Sequence, residues 1–93
     1  ANLQADCGRI LLRSLFFVLF RSGEHSVLRN LVKKQVDRLQ PPSRYKLTMN
    51  LYHCGANLLR ESNHQEAKGY FDLVDLIIDR NDDEFDERLN EDA

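Results

Sequence analysis

The chain has 93 residues, of which 42% are hydrophobic and 30% are charged. This length supports one domain, and the composition is that of a globular chain, so it excludes an intrinsically disordered protein. The net charge is −2, and the two cysteines are too few for a disulfide-stabilised fold. They predict an intracellular protein, cytoplasmic or nuclear, with reduced thiols.

The first predicted element is a helix from about Asp6 to Arg21, ended by Ser22-Gly23 because glycine readily adopts the left-handed conformation of helix ends. Its stretch Ile10–Phe20 is the most apolar part of the chain. A membrane span needs about 20 apolar residues. This stretch is shorter, so we predict a buried helix and no membrane partner.

Apolar side chains occupy nearly every side of this first helix. A helix that is apolar all round has to be buried all round. Two interpretations remain open: the helix is the centre of a compact four-helix bundle, or one edge of it docks against another molecule. A second copy is the simplest such molecule, so a homodimer is expected. The predicted self-association residues are Leu12, Phe16, Leu19 and Phe20.

The second predicted helix runs from about Glu24 to Leu39 and ends before Gln40-Pro41-Pro42, because proline cannot continue a helix. It has an apolar face and an opposite basic face, consisting of Arg29, Lys33, Lys34 and Arg38. Three interpretations of this basic patch remain open: a solvated surface, a binding site for an acidic protein, or a binding site for nucleic-acid phosphates. The acidic isoelectric point and the lack of interleaved aromatic residues disfavour nucleic acid.

The third predicted helix, about Arg44 to Glu61, is capped by Ser43, and Gly55 within it allows a neighbouring helix to approach closely. The fourth, about His64 to Arg80, begins with the capping pair Asn63 and Glu66. The predicted apolar face of the third helix consists of Leu47, Leu51, Cys54 and Leu58, with Tyr45. The predicted buried face of the fourth consists of Ala67, Tyr70, Phe71, Val74, Ile77 and Ile78. No strand is predicted, so we expect an all-α fold of two helical hairpins.

Charge is distributed unevenly along the sequence. Residues 1–46 carry +6 and residues 47–93 carry −8, with seven acidic residues in the segment 82–93. We therefore predict a helical domain over residues 1–81 and an acidic tail over 82–93. Phe85 and Leu89 are four residues apart, so the tail either docks as a short helix or remains a solvated end.

The segment of about residues 45–80 resembles a tetratricopeptide repeat. The residues that carry the resemblance are Leu51, Gly55, Leu58, Ala67, Phe71 and Val74. It implies a helical repeat, although a small four-helix bundle explains the same pattern, and the first half matches only as a generic helical repeat. In that family the exposed side of each hairpin's first helix holds the ligand. The resemblance therefore implies a partner-binding surface with Tyr52, His53 and Arg60, beside Met49 and Ala56.

No catalytic, cofactor-binding or metal-binding motif is present. His53 and Cys54 are adjacent, so they point about 100° apart on a helix and are poorly placed to share an ion. We expect no enzyme activity, no cofactor and no metal. The predicted function is a non-enzymatic protein-interaction module, such as an adaptor, regulatory subunit or scaffold fragment, that self-associates through the first helix. The alternative is a small nucleic-acid-binding regulator that uses the basic patch.

Overall fold

The computed structural model of the chain describes the backbone of residues 3–81 and the side chains of residues 10–81. Its four α-helices are α1 (Leu3–Arg21), α2 (His25–Gln35), α3 (Pro41–Arg60) and α4 (His64–Arg80). A short 3₁₀ helix, Val36–Arg38, follows α2, and residues 3–81 contain no strand. The predicted all-α fold of four helices is confirmed.

The helices belong to two compact units, Ala1–Leu39 and Gln40–Ala93. The first contains α1 and α2, and the second contains α3 and α4. Each unit is therefore one helical hairpin, as predicted. One domain over residues 1–81 stays a prediction, and the acidic tail lies outside the described residues.

In the first unit, glycine ends α1 in the way the sequence predicts. Gly23 has a φ of +75°, and the amide of Glu24 donates to the carbonyl of Leu19 at 2.9 Å. The amide of Gly23 itself donates to the carbonyl of Phe20 at 3.1 Å. These two bonds satisfy carbonyl groups that the helix end would otherwise leave unpaired.

The second helix is shorter than predicted. It ends at Gln35, and the 3₁₀ helix carries the chain on to Arg38. Leu39 and Gln40 are then extended, with ψ angles of 149° and 152°. The reason is that a residue before proline is disfavoured in helical conformation, so the chain has to straighten before Pro41. The buried side chains of this segment are Leu28, Val32 and Val36.

In the second unit, α3 begins at Pro41, earlier than predicted, and the expected cap at Ser43 is wrong. Gln40 occupies the N-cap position, and Pro41 and Pro42 occupy the first helical positions. Proline suits the first helical turn because its φ is already helical and its missing amide hydrogen would have had no partner there. Ser43 therefore lies inside the first turn of α3.

The turn between α3 and α4 contains a left-handed serine. Ser62 has a φ of +64°, and the amide of Asn63 donates to the carbonyl of Leu58 at 2.8 Å. The Asn63 side chain then accepts a hydrogen bond from the amide of Glu66 at 3.4 Å. The predicted cap of α4 is confirmed, because this bond satisfies a donor that the start of a helix leaves free.

The two helices of this hairpin pack closely at Gly55. A Cβ atom at this position would lie 2.8 Å from Cε1 of Phe71, so only glycine admits the ring there. The predicted residues Leu47, Leu51, Cys54, Leu58, Ala67, Tyr70, Val74 and Ile77 are all buried. Thr48 and Leu73 are also buried, although the sequence pattern did not select them, whereas Phe71, Ile78 and Tyr45 are only half-buried.

Side-chain hydrogen bonds join the start of α3 to the end of α4. The Arg44 guanidinium donates to Oδ1 of Asn81 at 2.8 Å, and Nδ2 of Asn81 donates to the carbonyl of Ile77 at 2.9 Å. The Asn81 side chain thus bonds both to the last turn of α4 and to Arg44, which lies 37 positions earlier in the sequence. As a result, the chain leaves α4 next to the first turn of α3.

Candidate functional site: exposed faces of α1 and α3

A strip of large apolar side chains on α1 is exposed to solvent. It consists of Ile10, Leu11, Leu15, Phe17 and Val18, which are between 36% and 63% exposed. At about 100° per residue, these five positions lie within an arc of about 160° of the helix surface. We call this surface the α1 strip. The largest exposed apolar patch of a protein often marks an interaction site.

The four residues predicted for self-association differ in their exposure. Leu12 and Phe16 are only 4% exposed, so they belong to the core and are closed to a partner. Leu19 and Phe20 are half-buried, and the ring of Phe20 packs edge-on against His25 with centroids 5.4 Å apart. The buried positions 12 and 16 and the half-buried position 19 follow helical spacing and share one face. The accessible residues are their neighbours on the opposite side of α1.

The predicted basic patch does not form a continuous line. On an α-helix, Arg29 and Lys33 lie about 40° apart, whereas Lys34 lies a further 100° round the axis. Arg38 follows the change to 3₁₀ geometry, which rotates it away from an α-helical path. Lys33, Lys34 and Arg38 are exposed, and Arg29 is half-buried. The four cations therefore spread over a wide sector around the helix axis. They do not form the single row that would run along a phosphate backbone.

A second partly apolar surface runs along the outer side of α3. It consists of Tyr45, Met49, Tyr52, Ala56 and Leu59, whose alternating spacing of four and three residues is that of an interhelical seam. Tyr52 and Leu59 are 48% and 46% exposed, and the other three are half-buried. We call this surface the α3 seam. The ring of Tyr52 contacts that of Phe71, with centroids 5.7 Å apart.

A row of basic residues borders the α3 seam. Lys46, His53 and Arg60 are exposed and recur every seven residues, so they lie along the same edge. The predicted partner-binding residues Tyr52, His53 and Arg60 thus lie on neighbouring parts of one helix surface. The predicted partner-binding set does not include Leu59 and Lys46, which the four-three spacing and the seven-residue spacing add to this surface.

Cys54 is the one cysteine among residues 10–81, and its side chain is buried. Burial raises the pKa of the Cys54 thiol to about 11, so the thiol stays protonated and unreactive near neutral pH. Within residues 10–81, no three His, Cys, Asp or Glu side chains are grouped to hold a metal ion. None of the described helices combines the length and the apolar character that crossing a membrane requires.

Comparison with known proteins does not assign the chain to a family. No protein-family model, no curated protein and no solved structure matches this chain significantly. The resemblance of residues 45–80 to a tetratricopeptide repeat therefore stays a prediction. The two partly apolar surfaces, the α1 strip and the α3 seam, are the candidate sites of the described residues.

Proposed function

We propose that the protein is a non-enzymatic interaction module that self-associates through the α1 strip. The observation that carries this proposal is the exposure of five large apolar side chains on one side of a single helix. Fully burying such a side chain contributes about 1.5–3 kcal/mol. An interface that covers the strip would recover a substantial part of this free energy.

The size of the strip predicts a weak dimer. Its five side chains expose on the order of 500 Å² of apolar surface, so two copies would bury about twice that area. Specific interfaces bury about 1,200–2,000 Å² in total, and smaller ones belong to transient complexes. We therefore expect a dissociation constant in the micromolar range.

The spacing of the strip supports a second copy as the partner. In an antiparallel twofold pairing of α1 centred between Ser14 and Leu15, Leu11 faces Val18 of the second copy, and Leu15 faces the small Ser14. The two copies of Arg21 would then lie about 20 Å apart along the axis. That separation exceeds the screening length at physiological salt, so their repulsion is weak.

Light scattering at increasing protein concentration tests this proposal. The wild-type chain should approach twice its mass of 10.9 kDa, and Val18→Glu should remain at 10.9 kDa. Glutamate has a higher helix propensity than valine, so the exposed substitution should leave the helical circular dichroism unchanged. Asn30→Glu, an equal charge change at an exposed position of α2, is the matched control and should dimerise like the wild type. A wild type that is monomeric throughout, or a Val18→Glu variant that dimerises equally, refutes the proposal.

Nucleic-acid binding is the second candidate, and three exposed cations, Lys33, Lys34 and Arg38, favour it. Such binding would be weak and strongly salt-dependent, because it would rest on a few phosphate contacts. A mobility-shift assay with duplex and single-stranded nucleic acid at low salt tests it. Failure to bind under those conditions eliminates this candidate and leaves the α1 proposal unaffected.

A further inference from the structure

We propose that the α3 seam binds the chain's own acidic segment, residues 82–93. The seam offers five apolar or aromatic side chains in interhelical spacing, with a basic row along one edge. This arrangement suits an amphipathic helix whose apolar face is bordered by acidic side chains. The proposal adds a second binding surface to the module and does not depend on self-association through α1.

The sequence of residues 82–93 has the complementary chemistry. It contains seven acidic residues and one basic residue, which gives a net charge of −6. Its two large apolar residues, Phe85 and Leu89, are four positions apart and share one face if the segment is helical. Lys46, His53 and Arg60 on the edge of the seam would face the acidic side chains that flank this apolar pair.

The segment also starts in the right place. The hydrogen bond from Arg44 to Asn81 fixes the end of α4 beside the first turn of α3, next to Tyr45. Residues 82–84 reach about 10 Å when extended, which is the usual distance between packed helix axes. A helix over the remaining residues would be about 14 Å long, whereas the seam from Tyr45 to Leu59 extends about 21 Å. The seam is therefore long enough for Phe85 and Leu89.

Charge favours α3 over α4 as the docking surface. The exposed charged residues of α4 are Asp72, Asp75 and Asp79, with Lys68 paired to Asp72 at 2.7 Å and Arg80 at the end of the helix. Acidic residues outnumber basic ones there, so this surface would repel a segment of charge −6. Along the edge of the α3 seam, the ionisable residues are Lys46, His53 and Arg60. The electrostatic contribution is screened by salt, so the predicted docking weakens as ionic strength rises.

A single tryptophan provides the test, because the natural chain contains none. In full-length Phe85→Trp we expect a blue-shifted emission maximum that does not change with protein concentration. Adding Lys46→Glu and Arg60→Glu should shift the emission to that of an exposed tryptophan. The matched control adds Lys33→Glu and Lys34→Glu, which makes the same charge change on α2 and should leave the emission unchanged.

The other outcomes each overturn the proposal in a different way. Emission of an exposed tryptophan in the starting variant means that the segment does not dock. A red shift in the α2 control means that it lies on the basic patch, and a blue shift that grows with concentration means that it binds another copy. Repeating the series in the Val18→Glu background separates this proposal from the α1 proposal. In that monomeric variant the segment should still bind the α3 seam, so the tryptophan emission should remain blue-shifted.

Discussion

Replacing Gly55 by alanine tests how closely α3 and α4 are packed. The added Cβ would lie 2.8 Å from Cε1 and 2.9 Å from Cζ of Phe71, whereas carbon atoms in contact are about 3.5–4.0 Å apart. The ring would therefore have to move by about 0.7 Å, while it is also in contact with Tyr52. Overpacking of this kind costs about 1–3 kcal/mol, and alanine recovers about 1 kcal/mol through its helix propensity. We expect Gly55→Ala to lower the free energy of unfolding by about 1 kcal/mol.

The sign of this effect should reverse when the ring is removed. In a Phe71→Ala background the overlap is absent, so Gly55→Ala should stabilise by about 1 kcal/mol through helix propensity alone. Urea unfolding followed by tyrosine fluorescence measures all four variants of the cycle, and all three tyrosines belong to the second unit. If Gly55→Ala stabilises equally in both backgrounds, the ring moves aside freely and the close packing argued for this hairpin is wrong.

Three further predictions concern the second unit. Ser62→Gly should raise the free energy of unfolding by about 0.5 kcal/mol. The strain of serine at φ +64° costs more free energy than the additional chain entropy that glycine loses on folding. A free energy of unfolding that does not increase in urea denaturation contradicts this. Asn81→Ala should lower it by about 1–2 kcal/mol in the same assay, since the hydrogen bonds of the Asn81 side chain to Arg44 and to the Ile77 carbonyl are lost, and an unchanged value would mean that these bonds contribute nothing. Burial raises the pKa of the Cys54 thiol from 9.0 to about 11. Between these pH values the thiol ionises in the unfolded chain but stays protonated in the folded one, so the free energy of unfolding should fall by about 2–3 kcal/mol as pH rises from 9 to 11. Cys54→Ala should lack this part of the pH dependence, and equal profiles for the two proteins would contradict the assigned pKa.

Local signals made the end of α1 and the start of α4 predictable. A glycine after an apolar helix, and an asparagine three residues before a glutamate, each act through hydrogen bonds to nearby backbone groups. The buried face of α3 follows from periodicity, because Leu47, Leu51, Cys54 and Leu58 recur at helical spacing. The observed start of α3 differs from the predicted one because both Ser43 and Pro41 favour a helix start, and the helix begins at the proline.

The exposed face of α1 could not be predicted in the same way. Apolar residues lie on nearly every side of this helix, so periodicity identifies no preferred direction. Which residues face inward depends on contacts with residues distant in sequence. The structure places Leu12 and Phe16 in the core and leaves Leu11, Leu15 and Val18 exposed, which shifts the expected interface round the helix by a large angle.

The most direct test of self-association is an isotope-filtered NOE measurement on a mixture of labelled and unlabelled chains. It detects contacts between copies and assigns them to individual methyl groups. We predict intermolecular contacts between Leu11 and Val18, and from Leu15 to the β-protons of Ser14, with none from Leu12. Intermolecular contacts confined to α3 and α4, or none at concentrations where the chain should be dimeric, would contradict the account.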